Sequence, residues 1–312
     1  MLSMRHFVQG VDEPVWVEVL NSANKHHEEW RAITVEEFVM EEKRPDFDPE
    51  GIVIAELDGR PVGMVHAHVD KLRTDAKGFI RFGVIPDFRG RGFEQQLIET
   101  AQSDLKARGM TTAQTGVESV ETDYIELLEE RGFKPVRVFS MMEMDLAEVR
   151  HDIGESGQVA IRPIQKTLEG DVKLLNRLIN ESFSEHFNFR PRTLEETRSN
   201  LLSHPYLSEQ EVFFALLDNE GVGYVGVGID ERYNLEKGVK AGDVFSIGVL
   251  RAHRGRGIAT RLMIHGLEAL QARGMTKAML GVDDYNTSEA MKIYERIGFR
   301  VKKKYCVFER AL

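Results

Sequence analysis

The sequence RAHRGRGIATRL, at residues 251–262, places two arginine–glycine pairs directly before a predicted helix. From Ala259 onward, small or apolar residues recur at i, i+3, i+4, i+7, i+8 and i+11, which is the periodicity of one helix face. Backbone N–H groups at a helix N-terminus lack intrahelical partners, and the helix dipole adds partial positive charge there. Glycine lets a bulky anion approach these groups closely. The stretch therefore predicts an anion site suited to phosphate.

Two named phosphate motifs do not account for this loop. The chain contains neither G-x-x-x-x-G-K-[ST] nor a G-x-G-x-x-G that opens a helix, which argues against a P-loop and a nicotinamide site. Taken alone, RGRG is equally typical of a tight turn with solvated arginines. RNA-binding Arg-Gly segments are long and of low complexity, so the loop does not favour that class.

The loop occurs twice, because PDFRGRGFEQQL at 86–97 is a near copy. A shift of 165 residues superimposes both RGRG runs and also superimposes ARGMT at 107–111 on ARGMT at 272–276. One inserted residue then brings Gly132-Phe133 onto Gly298-Phe299. Matches in the same order predict two copies of one domain. We expect an N-terminal domain at 1–150, a polar linker at 151–158 and a C-terminal domain at 159–312.

The second copy has the clearer pattern of elements. Alternating and helical periodicities predict strands at 158–164, 211–218, 221–230, 243–250 and 277–284, helices at 170–185, from Thr193, after the loop and at 288–298, and final strands within 299–311. The predicted order is β-α-α-β-β-β-α-β-α-β-β. Each copy is therefore expected to be an α/β domain with a mixed, largely antiparallel sheet.

Composition limits the classes of partner. A net charge of −10 disfavours broad nucleic-acid binding, and no apolar run approaches the roughly 18 residues of a membrane span. The single cysteine, Cys306, excludes an intramolecular disulfide framework. We expect a cytoplasmic protein without nucleic-acid or membrane partners. No His, Cys or carboxylate cluster shows ligand spacing, so no metal is expected.

Two stretches together resemble a known superfamily. Arg254, Gly257 and Ala259 form a pattern similar to the acetyl-CoA signature of the GCN5-related N-acetyltransferase (GNAT) superfamily, and NTSEAMKIYERIGF at 286–299 resembles its second signature. The resemblance covers nearly the whole chain, twice. The tandem layout, with NESFSEHFNFRP at 180–191, is most similar to the mycothiol synthase type.

This resemblance implies an N-acetyltransferase with acetyl-CoA as cosubstrate and a small-molecule or peptide amine as acceptor. Backbone of Ile247 and Val249 would bind the pantetheine arm, and Asn286 would contact the cofactor. The pyrophosphate would be held by backbone N–H groups across Arg254, Gly255, Arg256, Gly257, Ile258, Ala259 and Thr260. Both arginine side chains of the loop could add charge-assisted contacts.

The reaction needs a base and a proton donor. Tyr294 would face the sulfur and donate a proton to the leaving thiolate, because a phenol is protonated at neutral pH. Asp243 is the candidate base, because it begins the central strand six residues before Val249 and so lies on the same strand face. Asp283, Asp284 and His186 are rival candidates.

The acceptor pocket is expected in the loop between the first two helices. The candidate substrate-binding residues there are His186, Phe187, Phe189 and Arg190.

The first copy lacks these chemical groups. At a shift of 165, the positions of Ala259, Asn286, Tyr294 and Asp243 are occupied by Glu94, Glu121, Glu129 and Gly78. We therefore expect one active site, in the second copy, and a structural or regulatory first copy. Three alternatives remain: a coenzyme A-binding sensor or interaction protein, another acyl group, or a protein amine as acceptor. Two fused copies could replace a dimer, which predicts a monomer.

Overall fold

The computed structural model describes residues 2–150, 159–285 and 290–312. The predicted linker and Asn286 lie outside the described residues. The chain forms two compact units, one of Met1–Arg137 with Tyr305–Leu312 and the other of Val138–Lys304. The units thus follow the predicted order of the copies, except that each contains the last strand of the other copy.

The first unit contains a sheet with helices on both faces. Its strands are β1 (Leu2–His6), β2 (Ile52–Leu57), β3 (Arg60–His68), β4 (Lys77–Val84) and β5 (Thr112–Glu118). Its helices are α1 (Glu13–Asn24), α2 (Val35–Glu42), α3 (Phe93–Ala107) and α4 (Thr122–Glu130). The strands are ordered β1-β2-β3-β4-β5, and only the β4–β5 pair is parallel.

The second unit repeats this arrangement. Its strands are β6 (Lys134–Asp145, from residue 138), β7 (Ala160–Pro163), β8 (Glu209–Leu217), β9 (Glu220–Ile229), β10 (Ala241–Val249) and β11 (Lys277–Asp283). Its helices are α5 (Glu169–Ser182), α6 (Leu194–Leu202), α7 (Glu231–Lys237), α8 (Ile258–Ala272) and α9 (Ala290–Ile297). The order is β6-β11-β10-β9-β8-β7, with β10–β11 parallel and the other pairs antiparallel. The predicted mixed, largely antiparallel α/β fold is confirmed.

The last strand of each copy completes the sheet of the other. β6 pairs with β11 from Lys277↔Asp145 to Asp283↔Phe139. β12 (Arg300–Ala311) pairs with β5 through its residues 305–311. Both cores depend on this exchange, because Met142 and Met144 are buried in the second core and Phe308 in the first. The sequence predicted more than one strand within 299–311, whereas the structure has one.

Local signals explain most element boundaries. Thr193 caps α6, since its hydroxyl accepts a hydrogen bond from the Glu196 amide at 3.1 Å while the Glu196 carboxylate accepts one from the Thr193 amide at 2.7 Å. The sequence did not predict α7, which begins after the capping Asp230 and ends at Gly238 in the left-handed region. Leu235 of this helix is 86% exposed, so α7 lacks the apolar face that would reveal it.

Within the described residues, every helix is too short or too polar to cross a membrane.

Candidate active site

Two parallel strands part at the centre of the second unit. β10 and β11 are paired from Ala241↔Lys277 to Asp243↔Met279. Beyond this point β10 continues to Val249 paired with β9 but not with β11. The gap opens into a cavity of about 940 Å³. Residues 244–249 and 280–283 form its two strand walls.

The free edge of β10 presents backbone groups to this cavity. The Leu250 amide donates to the Val222 carbonyl at 2.9 Å, which is on the β9 side. Because successive N–H groups of a strand point to opposite edges, the amides of Val249 and Ile247 point toward the gap. This orientation is the one that the pantetheine assignment requires.

A β-bulge changes the position of the candidate base. The β9–β10 register shifts between Val244 and Ser246, so Phe245 is an extra residue in β10. The assumption of regular alternation from Asp243 to Val249 is therefore wrong. Asp243 pairs with Gly228 and Ser246 with Gly226, which places these two β10 residues on one face of the sheet. Val249 faces the opposite side.

Asp243 also lies just outside the cavity. It is half-buried at the point where the strands part, and it is not among the described residues that line the cavity. Ser246, on the same face, does line it.

The RGRG loop and the start of α8 close one end of the cavity. Gly255 and Gly257 have φ of +75° and +72°, a region that favours glycine. A Cβ added at either glycine would have no heavy atom within 4 Å, so the loop surface is open. The cavity is lined by residues 253–260, which include the predicted backbone donors. An oxyanion such as a pyrophosphate fits this surface.

The two loop arginines have different environments. Arg254 donates to the carbonyls of Val249 at 3.1 Å and Ser182 at 2.9 Å, and its guanidinium lies 3.6 Å from the Glu185 carboxylate. Arg254 therefore holds the loop against the end of α5, and its role is structural. Arg256 is exposed, lines the cavity and makes no hydrogen bond or ion pair with the described residues. Of the two loop arginines, Arg256 is therefore the one whose guanidinium is available for an anion.

Tyr294 lies on α9 against the cavity. It is 9% exposed, and its ring packs edge-on against Phe299 with centroids 6.1 Å apart. Burial raises the pKa of Tyr294 to about 12, and the nearby Tyr224 adds to this effect. The phenol is consequently protonated at neutral pH, as the sequence analysis expected of it.

The predicted acceptor residues only partly line the cavity. His186 does, with its ring 4.4 Å from that of Phe183. Arg190 instead forms an ion pair with Glu196 that braces α6. Phe187 and Phe189 are not among the described lining residues, although the Phe187 ring lies 6.5 Å from the lining Phe139.

Several lining residues were not predicted. Ser246 is one of them, and it shares a hydrogen bond of 2.6 Å with Tyr224, a buried residue outside the described lining whose pKa is raised by burial to about 12. His253 lines the cavity, and its Nδ1 is buried without a hydrogen-bond partner in the described part of the chain. The replacement of Phe88 in the first loop by His253 in the second was the available sequence signal.

The two rival carboxylates differ in availability. Asp283 is 8% exposed, lines the cavity and accepts a hydrogen bond from the Tyr285 amide at 3.0 Å. Asp284 accepts from Ser140 at 2.6 Å and pairs with Lys304 at 2.7 Å. Asp284 is thus paired with a cation and is not among the described lining residues, whereas Asp283 lines the cavity, which makes Asp283 the stronger rival to Asp243.

The first unit has the same loop, but there a glutamate side chain of the protein binds a loop amide. Arg89 donates to the carbonyls of Val84 and Ala23, as Arg254 does in the second unit. The buried carboxylate of Glu94, however, accepts a hydrogen bond from the Gly90 amide at 3.2 Å. The Glu94 carboxylate therefore occupies a backbone N–H group of the loop that a phosphate would otherwise bind.

The structure corrects the counterpart of Asp243. In the parallel ladders, Gly78 occupies the place of Gly242, and a Cβ on either would meet a leucine of the following helix, at 2.3 and 2.5 Å respectively. The counterpart of Asp243 is consequently Phe79 and not Gly78. The bulge residue Phe245 is the insertion that offsets the two strands.

The counterpart of Tyr294 is also different. The Phe299 amide donates to the Tyr294 carbonyl, and the Phe133 amide donates to the Leu128 carbonyl, both at 3.0 Å. Leu128 is fully buried, whereas Glu129 is exposed. The one-residue insertion precedes this helix, so Leu128 replaces the phenol. The first unit still has neither an acid nor a base at these positions.

Comparison with known proteins identifies the family. A model of the Acetyltransferase (GNAT) family matches residues 16–133 and 173–299. The chain belongs to this family. The two matches coincide with the two copies of the repeat, and the predicted resemblance to tandem acetyltransferases of this family is confirmed.

Curated relatives carry the name mycothiol acetyltransferase. The protein of Streptomyces griseus subsp. griseus is 29% identical over 132 residues, 42% of this chain and 43% of that protein. The protein of Acidothermus cellulolyticus is 26% identical over 261 residues, 81% of this chain and 77% of that protein. The chain thus spans less than half the length of the first of these relatives.

Solved structures share the fold across the whole chain. The GCN5-related N-acetyltransferase from Sphaerobacter thermophilus superimposes with a TM-score of 0.73 at 21% identity, covering 99% of this chain and 95% of that one. A tandem GNAT protein from the clavulanic acid biosynthesis pathway superimposes with a TM-score of 0.76 at 14% identity, covering 100% and 98%. At these identities the similarity concerns the fold alone.

Proposed function

We propose that the protein is an acetyl-CoA-dependent N-acetyltransferase with a single active site in its second unit. The observation that carries this proposal is the gap between β10 and β11. It joins the open RGRG loop, the unpaired amides of β10 and the Tyr294 phenol in one cavity of about 940 Å³.

The cavity suits the successive parts of acetyl-CoA. Its pyrophosphate would lie on the N–H groups at the start of α8, with Arg256 adding a charge-assisted contact. Its pantetheine arm would follow the free edge of β10 as an additional strand-like segment. The thioester would then lie beside Val249, whose amide is aimed into the gap.

Acetyl-CoA supplies the activated acyl group, and the protein supplies position and polarity. The Val249 amide would donate a hydrogen bond to the thioester oxygen, which stabilises the charge that develops there. Holding amine and carbonyl together removes much of the entropic barrier. The amine nitrogen bonds to the acyl carbon as the carbon–sulfur bond breaks.

Tyr294 would stabilise the departing sulfur. Its pKa of about 12 lies above that of a free thiol, about 8.5, so complete transfer of its proton is uphill in the resting site. Tyr294 is therefore proposed to act first by donating a hydrogen bond to the sulfur. The proton follows as negative charge builds there.

Asp243 remains the proposed base and would act through a bridging water molecule. It lies on the face of Ser246, two ladder positions away, which corresponds to roughly 7 Å of strand. That distance is suited to a bridging water between the carboxylate and an amine held near Ser246. Asp283 is the alternative, because it lines the cavity directly.

The acceptor would enter on the side of Phe139, Phe183, His186 and Arg192. These side chains suit a small or peptide amine that combines apolar and polar groups. The relatives named mycothiol acetyltransferase make a mycothiol precursor the first acceptor to test. We further propose action as a monomer in the cytoplasm, in keeping with the fused copies and the single cysteine.

The test is release of free thiol from acetyl-CoA in the presence of a panel of amines, followed by mass spectrometry of the products. Amine-dependent release with a product 42 mass units heavier, roughly one acetyl group, supports the proposal. Binding of acetyl-CoA without turnover of any amine would instead favour a sensor.

A further inference from the structure

A second cavity lies in the first unit, on the sheet face covered by α1 and α2. Its volume is about 340 Å³. His66 and His68 of β3 line it, two residues apart and so on the same face of the strand. Aromatic rings of Trp16, Phe47 and Phe79 lie within 6.3 Å of these imidazoles, centroid to centroid. The imidazoles are therefore held in a largely apolar wall.

We propose that Asp48, His66 and His68 form a binding site for a divalent transition-metal ion such as Zn²⁺. One ring nitrogen from each histidine and one carboxylate oxygen of Asp48 all lie within 4.8 Å of one another. Two imidazoles and a carboxylate are a common ligand set for Zn²⁺, with water completing a tetrahedral site. The proposal does not depend on the acetyltransferase activity of the second unit.

Asp48 provides an independent indication of a ligand. It is 2% exposed, and its Oδ2 accepts hydrogen bonds from the Val69 amide and from Arg108, both at 2.7 Å. Its Oδ1 is buried without a partner among the described residues. A buried carboxylate oxygen without a partner is costly, and a bound cation would compensate it.

The histidines are prepared to act as ligands. The two imidazole rings lie 5.4 Å apart, centroid to centroid. His66 Nε2 lies 2.7 Å from the Asp48 carbonyl oxygen, to which it can donate. Metal-binding histidines commonly donate their second N–H to such a carbonyl.

The charge around the site is mixed. Glu41 and Asp46 line the cavity together with Arg44 and Arg81, and Arg44 is paired with Asp46 at 3.2 Å. These two carboxylates compensate the two guanidinium groups that line the cavity. Arg108 adds a third guanidinium, which bonds Asp48 Oδ2 and leaves Oδ1 without a partner among the described residues. A cation in the cavity would therefore not meet a uniformly positive wall.

The duplicated copy shows that these histidines replace glycines. His66 pairs with Arg81 and His68 with Phe79, whereas Gly226 pairs with Ser246 and Gly228 with Asp243. The histidines thus occupy the sheet face that carries the proposed base in the second unit. On this face the first unit therefore has two imidazoles where the second unit has two glycines.

A second cluster serves as a comparison. His26, His27 and Glu121 also place ligand atoms within 4.8 Å of one another. Arg89, however, lies 3.3 Å from His26 Nε2 and 3.8 Å from the Glu121 carboxylate. Arg89 thus lies against a ligand nitrogen of His26 itself, whereas Arg108 at the proposed site bonds Oδ2 of Asp48 and not Oδ1. The His26 cluster therefore provides a control.

The test is titration of the full-length, metal-free protein with Co²⁺, which substitutes for Zn²⁺ and has visible absorption. We expect one Co²⁺ per chain, competed by Zn²⁺, and a His68→Gln variant that binds on the order of 100-fold more weakly. His26→Gln should bind normally. His68→Cys should retain binding and add a sulfur-to-cobalt charge-transfer band, which identifies position 68 as a ligand directly.

Two results would overturn the proposal. One is wild-type protein that takes up no stoichiometric Co²⁺, and the other is uptake that is unchanged in His68→Gln or lost in His26→Gln. Circular dichroism of each variant checks its folding. Zn²⁺ should also raise the Tm of the wild type but not of His68→Gln, because a ligand stabilises only the state that binds it.

Discussion

The two arginines of the RGRG loop look equivalent in sequence but differ in their contacts. Arg254 bonds to backbone carbonyls of its own unit, and the same contacts recur at Arg89. Arg256 faces the cavity without such partners in the described chain. Both arginines were expected to contact phosphate, because spacing alone does not show where a long side chain points.

Substitution of each arginine by alanine should separate the structural role of Arg254 from the binding role of Arg256. We expect Arg254→Ala to lower the free energy of unfolding by about 1–3 kcal/mol, since two charge-assisted hydrogen bonds are lost. Arg256→Ala should leave stability unchanged and weaken acetyl-CoA binding roughly 10- to 100-fold. Denaturant unfolding and calorimetric titration measure the two effects. Arg89→Ala is the control: it should destabilise the first unit without changing acetyl-CoA affinity.

Tyr294 should contribute through its hydroxyl alone. Tyr294→Phe keeps the ring against Phe299 and is expected to reduce turnover by about tenfold or more, with acetyl-CoA binding retained. Because the pKa of Tyr294 is about 12, this hydroxyl stays protonated up to roughly pH 10. Its ionisation should therefore cause no loss of wild-type turnover below that pH. Tyr285→Phe, at a 60% exposed tyrosine, is the matched control. Equal turnover in Tyr294→Phe and wild type would remove Tyr294 from the mechanism.

At the scale of elements, periodicity predicted the helices and strands that have an apolar face. The capping box at Thr193 and the helix after the RGRG loop follow directly from local sequence. The bulge at Phe245 could not be predicted, because it is defined by pairing with β9 rather than by the residues of β10. For the same reason the counterpart of Asp243 in the first copy was misplaced by one residue. The counterpart of Tyr294 was misplaced because the one-residue insertion precedes the last helix of the copy.

The start of α8 should decide whether a unit binds acetyl-CoA. In the first unit, Glu94 at the equivalent of Ala259 already accepts a hydrogen bond from the loop amide of Gly90. We expect Ala259→Glu to reduce acetyl-CoA affinity at least 100-fold, through repulsion of the phosphate and competition for the loop amides. Calorimetric titration of the full-length chain should give one site per chain in the wild type and none in this variant.

Glu94→Ala is the corresponding change in the first unit. It should leave the stoichiometry at one, because the Glu121 carboxylate, 3.8 Å from the Arg89 guanidinium, still places negative charge beside the first loop. A second site in the wild type, or undiminished affinity in Ala259→Glu, would contradict the assignment of a single cofactor site to the second unit.

At the scale of the whole molecule, the repeat was evident from sequence but the exchange of strands was not. A shift of about 165 residues reveals two copies, yet it cannot show which sheet each final strand joins. β6 and β12 follow equivalent helices, and either sheet offers β12 an edge with the same backbone groups. Only the observed pairing of β12 with β5, and of β6 with β11, defines the composition of each unit.

This exchange predicts where core substitutions act. Phe308 lies in the last strand of the chain but is 2% exposed in the core of the first unit. Phe308→Ala should cost about 3–5 kcal/mol and reduce hydrogen-exchange protection in β3, β4 and β5, while acetyl-CoA affinity is retained. Met142→Ala, in the strand that ends the first copy, should cost about 2–5 kcal/mol, reduce protection in β10 and β11, and weaken acetyl-CoA binding. If each copy instead kept its own last strand, the two variants would show the reverse pattern of protection, and Phe308→Ala would be the one that weakens binding.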